Sequence, residues 1–109
     1  MEKFIYLFKG GESNGSEDAI KADMQKWMAY MGNLGQNGHL VGGEPIQPGG
    51  KNVKGTQKTV TDVTSKEAVN GYLIVNAKDI NEAVELSKGC PILESNGEIE
   101  IRQIQKIEM

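Results

Sequence analysis

Cysteine and histidine, which supply many metal ligands, nucleophiles and acid–base groups, are nearly absent from this sequence. Its 109 residues include one cysteine and one histidine. One cysteine excludes an internal disulfide and a metal cluster made of cysteines alone. One histidine by itself forms neither a metal site nor an acid–base pair, and the glycines at 42–55 do not follow the phosphate-loop pattern. We therefore predict no metal ion and no other cofactor.

An excess of positive charge and long apolar runs are also missing. The net charge is -3 and no basic stripe occurs, so nucleic acid is not an expected partner. The longest apolar stretches have four or five residues, which is too short to span a membrane. The first residues, MEKFIYLFKGGE, are typical of a strand rather than a signal peptide. These absences predict a cytoplasmic protein.

The residues that are present are typical of one folded domain. Hydrophobic residues make up 38% and charged residues 25% of the chain, as in ordinary globular proteins. We expect a single domain over 1–109. Its first element is a strand at 3–8, where Phe4, Tyr6 and Phe8 point one way and Ile5 and Leu7 the other. A strand that is apolar on both sides needs cover on both sides.

A long amphipathic helix is predicted over 16–37, with Ser16 as its N-cap. It should end between Gly32 and Gly38, because glycine is unfavourable inside a helix. An apolar stripe along one side is compatible with a groove for a cofactor or partner, but core packing is the favoured interpretation. The stripe consists of Ile20, Met24, Trp27, Met28, Met31 and Leu34.

The second half of the chain predicts the rest of an α+β domain. Extended segments are expected at 39–43, 57–63, 71–77 and 98–104, and a helix over 79–91 begins at a capping box of Asp79 and Glu82. The order is the ferredoxin-like β-α-β-β-α-β arrangement, an antiparallel sheet with both helices on one face. The other face carries apolar residues, so we expect a second copy to cover it, giving a homodimer that pairs through its sheet faces.

From about residue 66 onward the sequence carries several short motifs that are found together in one family. They are Lys66-Glu67, Gly71-Tyr72, Asp79 with Glu82-Ala83, Cys90-Pro91 and Glu100-Ile101-Arg102. With these motifs the chain resembles the YCII-related proteins, and especially their DGPF-domain branch. The stretch GHLVGGEPIQPGG also resembles the segment after that family's first helix. The resemblance implies a ferredoxin-like subunit that forms a dimeric α+β barrel.

The sequence departs from the family pattern at two places that bear on function. Thr59-Val60-Thr61-Asp62 stands where the Asp-Gly-Pro-Phe motif is expected, and Asp62 matches the motif's aspartate only if three residues are deleted. One branch of the family pairs a histidine on the first helix with an aspartate as its proposed active pair. The helix at 16–37 has no histidine, and His39 follows it.

His39 is nevertheless the one side chain here that ordinarily titrates near neutral pH. It could serve as a base or ligand, with Glu44 or Asp62 as its acid, or it could lie in a turn or line a cavity. A general base needs a positioned partner, and the sequence shows none for His39. We therefore expect His39 to lie near a cavity without being an obligate base. Cys90 follows a helix C-terminus, which disfavours a thiolate, and a buried structural role is expected for it.

Glu100 and Arg102 lie two residues apart on the last predicted strand and so share a face. They could bind a small polar ligand, because arginine pairs with carboxylates and phosphates, or form an ion pair with a neighbouring strand. The candidate ligand-binding residues are His39, Asp62, Tyr72, Glu100 and Arg102. Two functions remain open: a small-molecule-binding or enzymatic barrel, and a non-catalytic dimerisation or interaction module.

Overall fold

The computed structural model describes residues 1–11, 16–47, 49–63 and 68–107. Its main sheet is antiparallel, with four strands in the order β2-β5-β1-β6. Strands β3 and β4 form a separate two-stranded hairpin. The elements are β1 (Glu2–Gly10), α1 (Glu17–Gln36), β2 (Leu40–Pro45), β3 (Lys51–Lys54), β4 (Thr59–Asp62), β5 (Val69–Ala77), α2 (Ile80–Ser87), a 3₁₀ turn (Pro91–Ser95) and β6 (Gly97–Gln103). Apart from this hairpin, the order of strands and helices is that of the ferredoxin-like α+β fold. The predicted fold class is thereby confirmed. Neither described helix has the length and apolar character that crossing a membrane requires.

The two faces of the sheet differ as the alternation in β1 predicts. Phe4, Tyr6 and Phe8 are at most 5% exposed and face the helices. Ile5 and Leu7 are half-buried on the opposite side, which we call the open face. Both helices lie on the first side, because the Phe8 ring contacts α1 and the Tyr6 hydroxyl contacts α2.

Helix α1 begins and ends where the sequence predicts. The Ser16 hydroxyl accepts a hydrogen bond from the backbone N–H of Ala19 at 3.2 Å, which confirms the N-cap. The last helical residue is Gln36, inside the predicted window. Gly38 then adopts a left-handed φ of 77°, a conformation that glycine adopts without strain, and the chain turns into β2.

The prediction that the apolar stripe of α1 packs as core holds for half of it: Leu34 lies in the core and Trp27 and Met31 pack against it, whereas Ile20, Met24 and Met28 are exposed. Leu34 alone is buried, at 5% exposure, whereas Met24 and Met28 are 59% and 66% exposed. The reason lies in the sheet opposite the helix, where Gly43 and Gly71 present no side chains. Helix α1 therefore packs on β2 and the 3₁₀ turn and leaves a space below its stripe.

Helix α2 is short and tightly fixed. The Asp79 carboxylate accepts a hydrogen bond from the Glu82 backbone N–H at 2.9 Å, which confirms the N-cap. The Glu82 carboxylate accepts from the backbone N–H of Lys78 rather than from that of Asp79. The Tyr6 hydroxyl donates to the Ala83 carbonyl at 2.5 Å. Burial raises the pKa of this tyrosine, so the hydroxyl remains a donor.

Cys90 follows α2 and is 1% exposed, as predicted for a structural cysteine. Burial raises the pKa of its thiol to about 11. The group is therefore a neutral thiol at physiological pH and packs as a small apolar side chain.

Candidate functional site

The space beneath α1 is a groove of about 450 Å³, which we call the α1 groove. Its helical wall is formed by Met24, Trp27, Met28 and Met31, and its floor by Phe8, Gly43, Gly71 and Leu73. Its rim includes Glu44, Asn70 and Tyr72 from the adjoining strands. Most of the lining atoms are apolar, so the groove presents a hydrophobic surface to solvent.

Glycine at two floor positions keeps the groove open. A Cβ atom on residue 43 would collide with the carbonyl oxygen of Tyr72 and with the Leu73 side chain. A Cβ atom on residue 71 would approach the carbonyl oxygen of Glu44 to 3.2 Å. Strands β2 and β5 therefore meet closely at this point, and the floor lies at backbone level.

The aromatic side chains of the groove are held by one another. The rings of Phe8 and Trp27 meet edge to face, with centroids 5.2 Å apart and planes at 73°. Trp27 makes a second edge contact with Tyr30, at 6.4 Å and 81°. Such contacts are typically favourable by about 0.5–1.5 kcal/mol beyond the area they bury. The indole ring is thus positioned from two sides before any ligand arrives.

The charge around the α1 groove is sparse and negative. Of the described residues that line it, Glu44 is the only one that carries a formal charge at neutral pH. No cation in that lining is available to pair with an anionic group. The electrostatic environment therefore favours a neutral molecule over an anion.

His39 lies outside the α1 groove. It lines a second groove of about 600 Å³ between α1 and α2, together with Tyr30, Asn37 and Glu85 among others. Its Nδ1 atom is 2.8 Å from the carbonyl oxygen of Asn76, which can only accept, so Nδ1 carries the proton. None of the ion pairs found among the described residues includes His39. Its ring is therefore engaged with the backbone, and Nε2 alone remains for another partner.

Glu100 and Arg102 lie on the open face, as their spacing predicts. In the register of β1 and β6, Glu100 is opposite Leu7 and Arg102 is opposite Ile5. The Lys9 Nζ atom is 2.8 Å from Glu100 Oε1, and Arg102 Nη1 is 3.3 Å from Oε2 of the same carboxylate. Hydrogen bonding from Lys9, with a smaller contribution from Arg102, lowers the pKa of Glu100. Glu100 thus forms ion pairs with Lys9 and Arg102 of its own chain, as the ion-pair interpretation expects.

The structure distributes the five predicted ligand-binding residues over three places. Tyr72 joins Glu100 and Arg102 on the open face, because it is opposite Leu7 on the other side of β1. His39 is next to β2 and Arg102 is on β6, and these edge strands are three spacings, or about 14 Å, apart. Asp62 is exposed on the hairpin, where it pairs with Lys51. A role for these residues in binding a polar ligand stays a prediction.

The fold defines the class of the protein, which is a small α+β protein with a ferredoxin-like subunit. Within that class, the chain belongs to the YCII-related family, because the model of the YCII-related domain matches residues 4–108. This confirms the resemblance carried by the short motifs after residue 66.

Comparison with solved structures gives a similarity to 5-chloro-2-hydroxyhydroquinone dehydrochlorinase (TftG) from Burkholderia phenoliruptrix AC1100, in complex with 2,5-dihydroxybenzoquinone. The similarity covers 96% of this chain and 94% of that chain, with 18% sequence identity and a TM-score of 0.47. The comparison with curated proteins gives no match.

Proposed function

We propose that this protein binds a small, flat, largely apolar molecule in the α1 groove. The observation that carries the proposal is the groove itself: about 450 Å³ of apolar surface that the fold leaves open. That volume lies within the range of about 300–1,000 Å³ that is typical of small-molecule sites. Two of the chain's six aromatic side chains face it, namely Phe8 and Trp27, whose rings meet edge to face.

The shape and chemistry of the lining indicate a ring-containing ligand. The floor is flat at Gly43 and Gly71, so a planar molecule can lie against the backbone. Above it, Met24 and Met28 are flexible and polarisable and can adapt to a ring from the helix side.

Trp27 makes the proposal directly testable, because it is the only tryptophan in the chain and lies in the groove wall. The neutral probe N-phenyl-1-naphthylamine is titrated into the protein with excitation of the indole. Binding in the groove should quench Trp27 and produce energy transfer to the probe. The anionic analogue 8-anilinonaphthalene-1-sulfonate should bind more weakly, because the described lining offers no cation to pair with its sulfonate.

A matched pair of variants assigns the signal to the groove. Met28→Lys places a charge in the helical wall and should weaken probe binding by at least about tenfold, since an apolar probe lying against the wall would have to desolvate the ammonium. Gln25→Lys adds the same charge on an exposed position of α1 that lines neither groove, and should bind as the parent does. Equal binding by both variants would contradict the proposal. Absence of transfer in the parent would favour the interaction-module function instead.

We also propose that two copies of the chain pair through their open faces. This is the dimer expected from the sequence. Half-buried Ile5, Leu7 and Ile74 form a central apolar strip on this face. Glu100 and Arg102 beside the strip carry opposite charges, so a two-fold axis can bring unlike charges together.

Light scattering at micromolar concentration tests this dimer. The parent should have about twice the 11.9 kDa mass of one chain. Ile74→Lys should give a monomer, while Val84→Lys on α2, away from the open face, should leave the mass unchanged. A parent mass of one chain would refute the dimer without affecting the probe titration.

A further inference from the structure

The hairpin of β3 and β4 stands apart from the rest of the protein. Its strands pair in the register Lys51–Asp62 to Lys54–Thr59, and every residue of both strands is exposed. Among the described elements, neither strand packs extensively on anything except the other. An isolated two-stranded hairpin is only marginally stable in water, so this one is incomplete without a surface to rest on.

One face of the hairpin has the character of a contact surface. Val53 and Val60 are directly opposite each other and are 67% and 58% exposed. Their side chains form a joined apolar patch, since cross-strand neighbours share a face. Polar hairpin positions would be the ordinary choice if both faces met only water.

The hairpin and the remainder of the chain are opposite in charge. Residues 51–62 contain three lysines and one aspartate, a net charge of +2, which leaves -5 for the rest of the chain. The surplus belongs to Lys54 and Lys58, beside the valine face, since Lys51 on that face pairs with Asp62. An acidic surface of another copy would therefore attract the hairpin as a whole.

The open face alone is small for a stable dimer. Four strands about 4.8 Å apart and about 20 to 30 Å long present about 500 Å² in plan, before the relief of the side chains is counted, whereas each partner in a standard interface buries about 800 Å² of accessible surface. The hairpin leaves the sheet beside Pro45, at the end of β2 near Glu44 and Tyr72 of that face. It is therefore placed at the edge of the proposed interface, where added contact is needed.

We propose that the hairpin is an arm that docks on a second copy of this chain, with the Val53–Val60 face against the partner. The inference rests on the proposed open-face dimer and extends it: each subunit contributes its sheet face and one arm. The arm thereby buries its exposed valines and gains the support that a free hairpin lacks.

Photo-cross-linking of the full chain tests where the arm lies. Val53→p-benzoylphenylalanine protein is mixed in equal parts as ordinary and ¹⁵N-labelled chains, re-equilibrated and irradiated, and the peptides are identified by mass spectrometry. We expect cross-links that join a labelled to an unlabelled peptide. Cross-links confined to one chain, or none in a sample that is dimeric, would overturn the proposal.

The dimer dissociation constants of variants distinguish the contribution of the arm from that of the sheet face. The double variant Val53→Thr/Val60→Thr retains strand propensity but loses apolar surface, and its dimer dissociation constant should rise by at least about tenfold. Val84→Thr on α2 is the control and should match the parent. If Ile74→Lys abolishes the dimer while the double variant dimerises like the parent, the sheet-face dimer stands and the arm is refuted. A monomeric parent would refute both.

Discussion

The two helices of this protein have opposite relations to the sheet. Helix α1 has 20 residues and a conspicuous apolar stripe, yet Leu34 is its one buried residue. Helix α2 has 8 residues and buries both Ala83 and Ser87. Tyrosine hydroxyls from β1 and α1 donate to its carbonyls at Ala83 and Leu86, at 2.5 and 2.9 Å.

The contrast shows that an apolar stripe identifies a helix face but not its degree of burial. The side chains that the sheet presents opposite the helix decide how far the stripe is buried. Below α2 the sheet presents Tyr6 and other full-sized side chains, which fill the space. Below the middle of α1 it presents Gly43 and Gly71, and the stripe remains accessible there. We expect the stability of the fold to depend on α2 and the last turn of α1, and ligand binding to depend on the middle turns of α1.

The largest expected effect separates the last turn of α1 from its middle. Leu34→Ala should lower the free energy of unfolding by about 2–5 kcal/mol, because it leaves a cavity in the core. Met28→Ala should change it by less than about 0.5 kcal/mol, since that side chain is mostly exposed. Urea denaturation of both variants measures the difference. Similar losses would mean that the whole stripe is core.

The next effect concerns the tyrosine that holds α2. Tyr6→Phe keeps the ring and removes the donor to the Ala83 carbonyl, so we expect a loss of about 1–3 kcal/mol. Tyr72→Phe on the open face is the matched control, and it should leave the monomer's stability nearly unchanged. Thermal melts of both proteins at equal concentration compare them. A loss confined to Tyr72→Phe would reverse the roles of the two faces.

The N-caps provide a smaller and sharper comparison of the same kind. Asp79→Ala should destabilise the protein by about 1 kcal/mol, because it removes the acceptor of the Glu82 N–H. Ser16→Ala should have a smaller effect, since fraying of the first turn of α1 opens no buried contact. Chemical denaturation at one temperature gives both values. A parent-like melting curve for Asp79→Ala would show that the cap does not stabilise α2.

The smallest effect is a pH dependence that belongs to the open face rather than to either helix. Lys9 and Arg102 hold the pKa of Glu100 below its ordinary value, so the folded state binds this proton more weakly than the unfolded state. Its contribution to stability is therefore present above the unfolded pKa and is lost as the pH falls through the folded pKa. Glu100→Gln should flatten this acid limb slightly, as an exposed pair permits. An unchanged limb in pH-dependent melts would show that the pair contributes nothing.

Much of the fold could be predicted from sequence because local patterns specify it. Alternation in 3–8 gave both faces of the sheet, and the hydroxyl of Ser16 and the carboxylate of Asp79 marked the starts of the helices. The pairing of the hairpin was not evident, since Lys51–Lys54 has one apolar residue and lacks a strand pattern. Only its partner segment, within 57–63, showed a strand signal.

The candidate site was harder to predict, because its defining features are distant in sequence. Trp27 and the methionines were recognised as a stripe that could be a groove, but the two glycines opposite them lie in other strands. Which glycines face a given helix depends on strand order and register, and no local pattern contains that information. His39 drew attention because it is the only histidine, although its Nδ1 is bound to a backbone carbonyl.

The position of β1 at the centre of the sheet also has a consequence for how the chain folds. Its partners in β6 follow it by 87 to 99 residues, from Gly10–Gly97 to Phe4–Gln103. Closing loops of that length precedes any gain from the contacts they permit, which slows folding relative to helical proteins of the same size. While the chain folds, the edge of β1 that pairs with β6 therefore stays unpaired until that strand arrives, and an unpaired edge can pair with another chain. Chaperone dependence at this stage is the hazard that a central first strand brings.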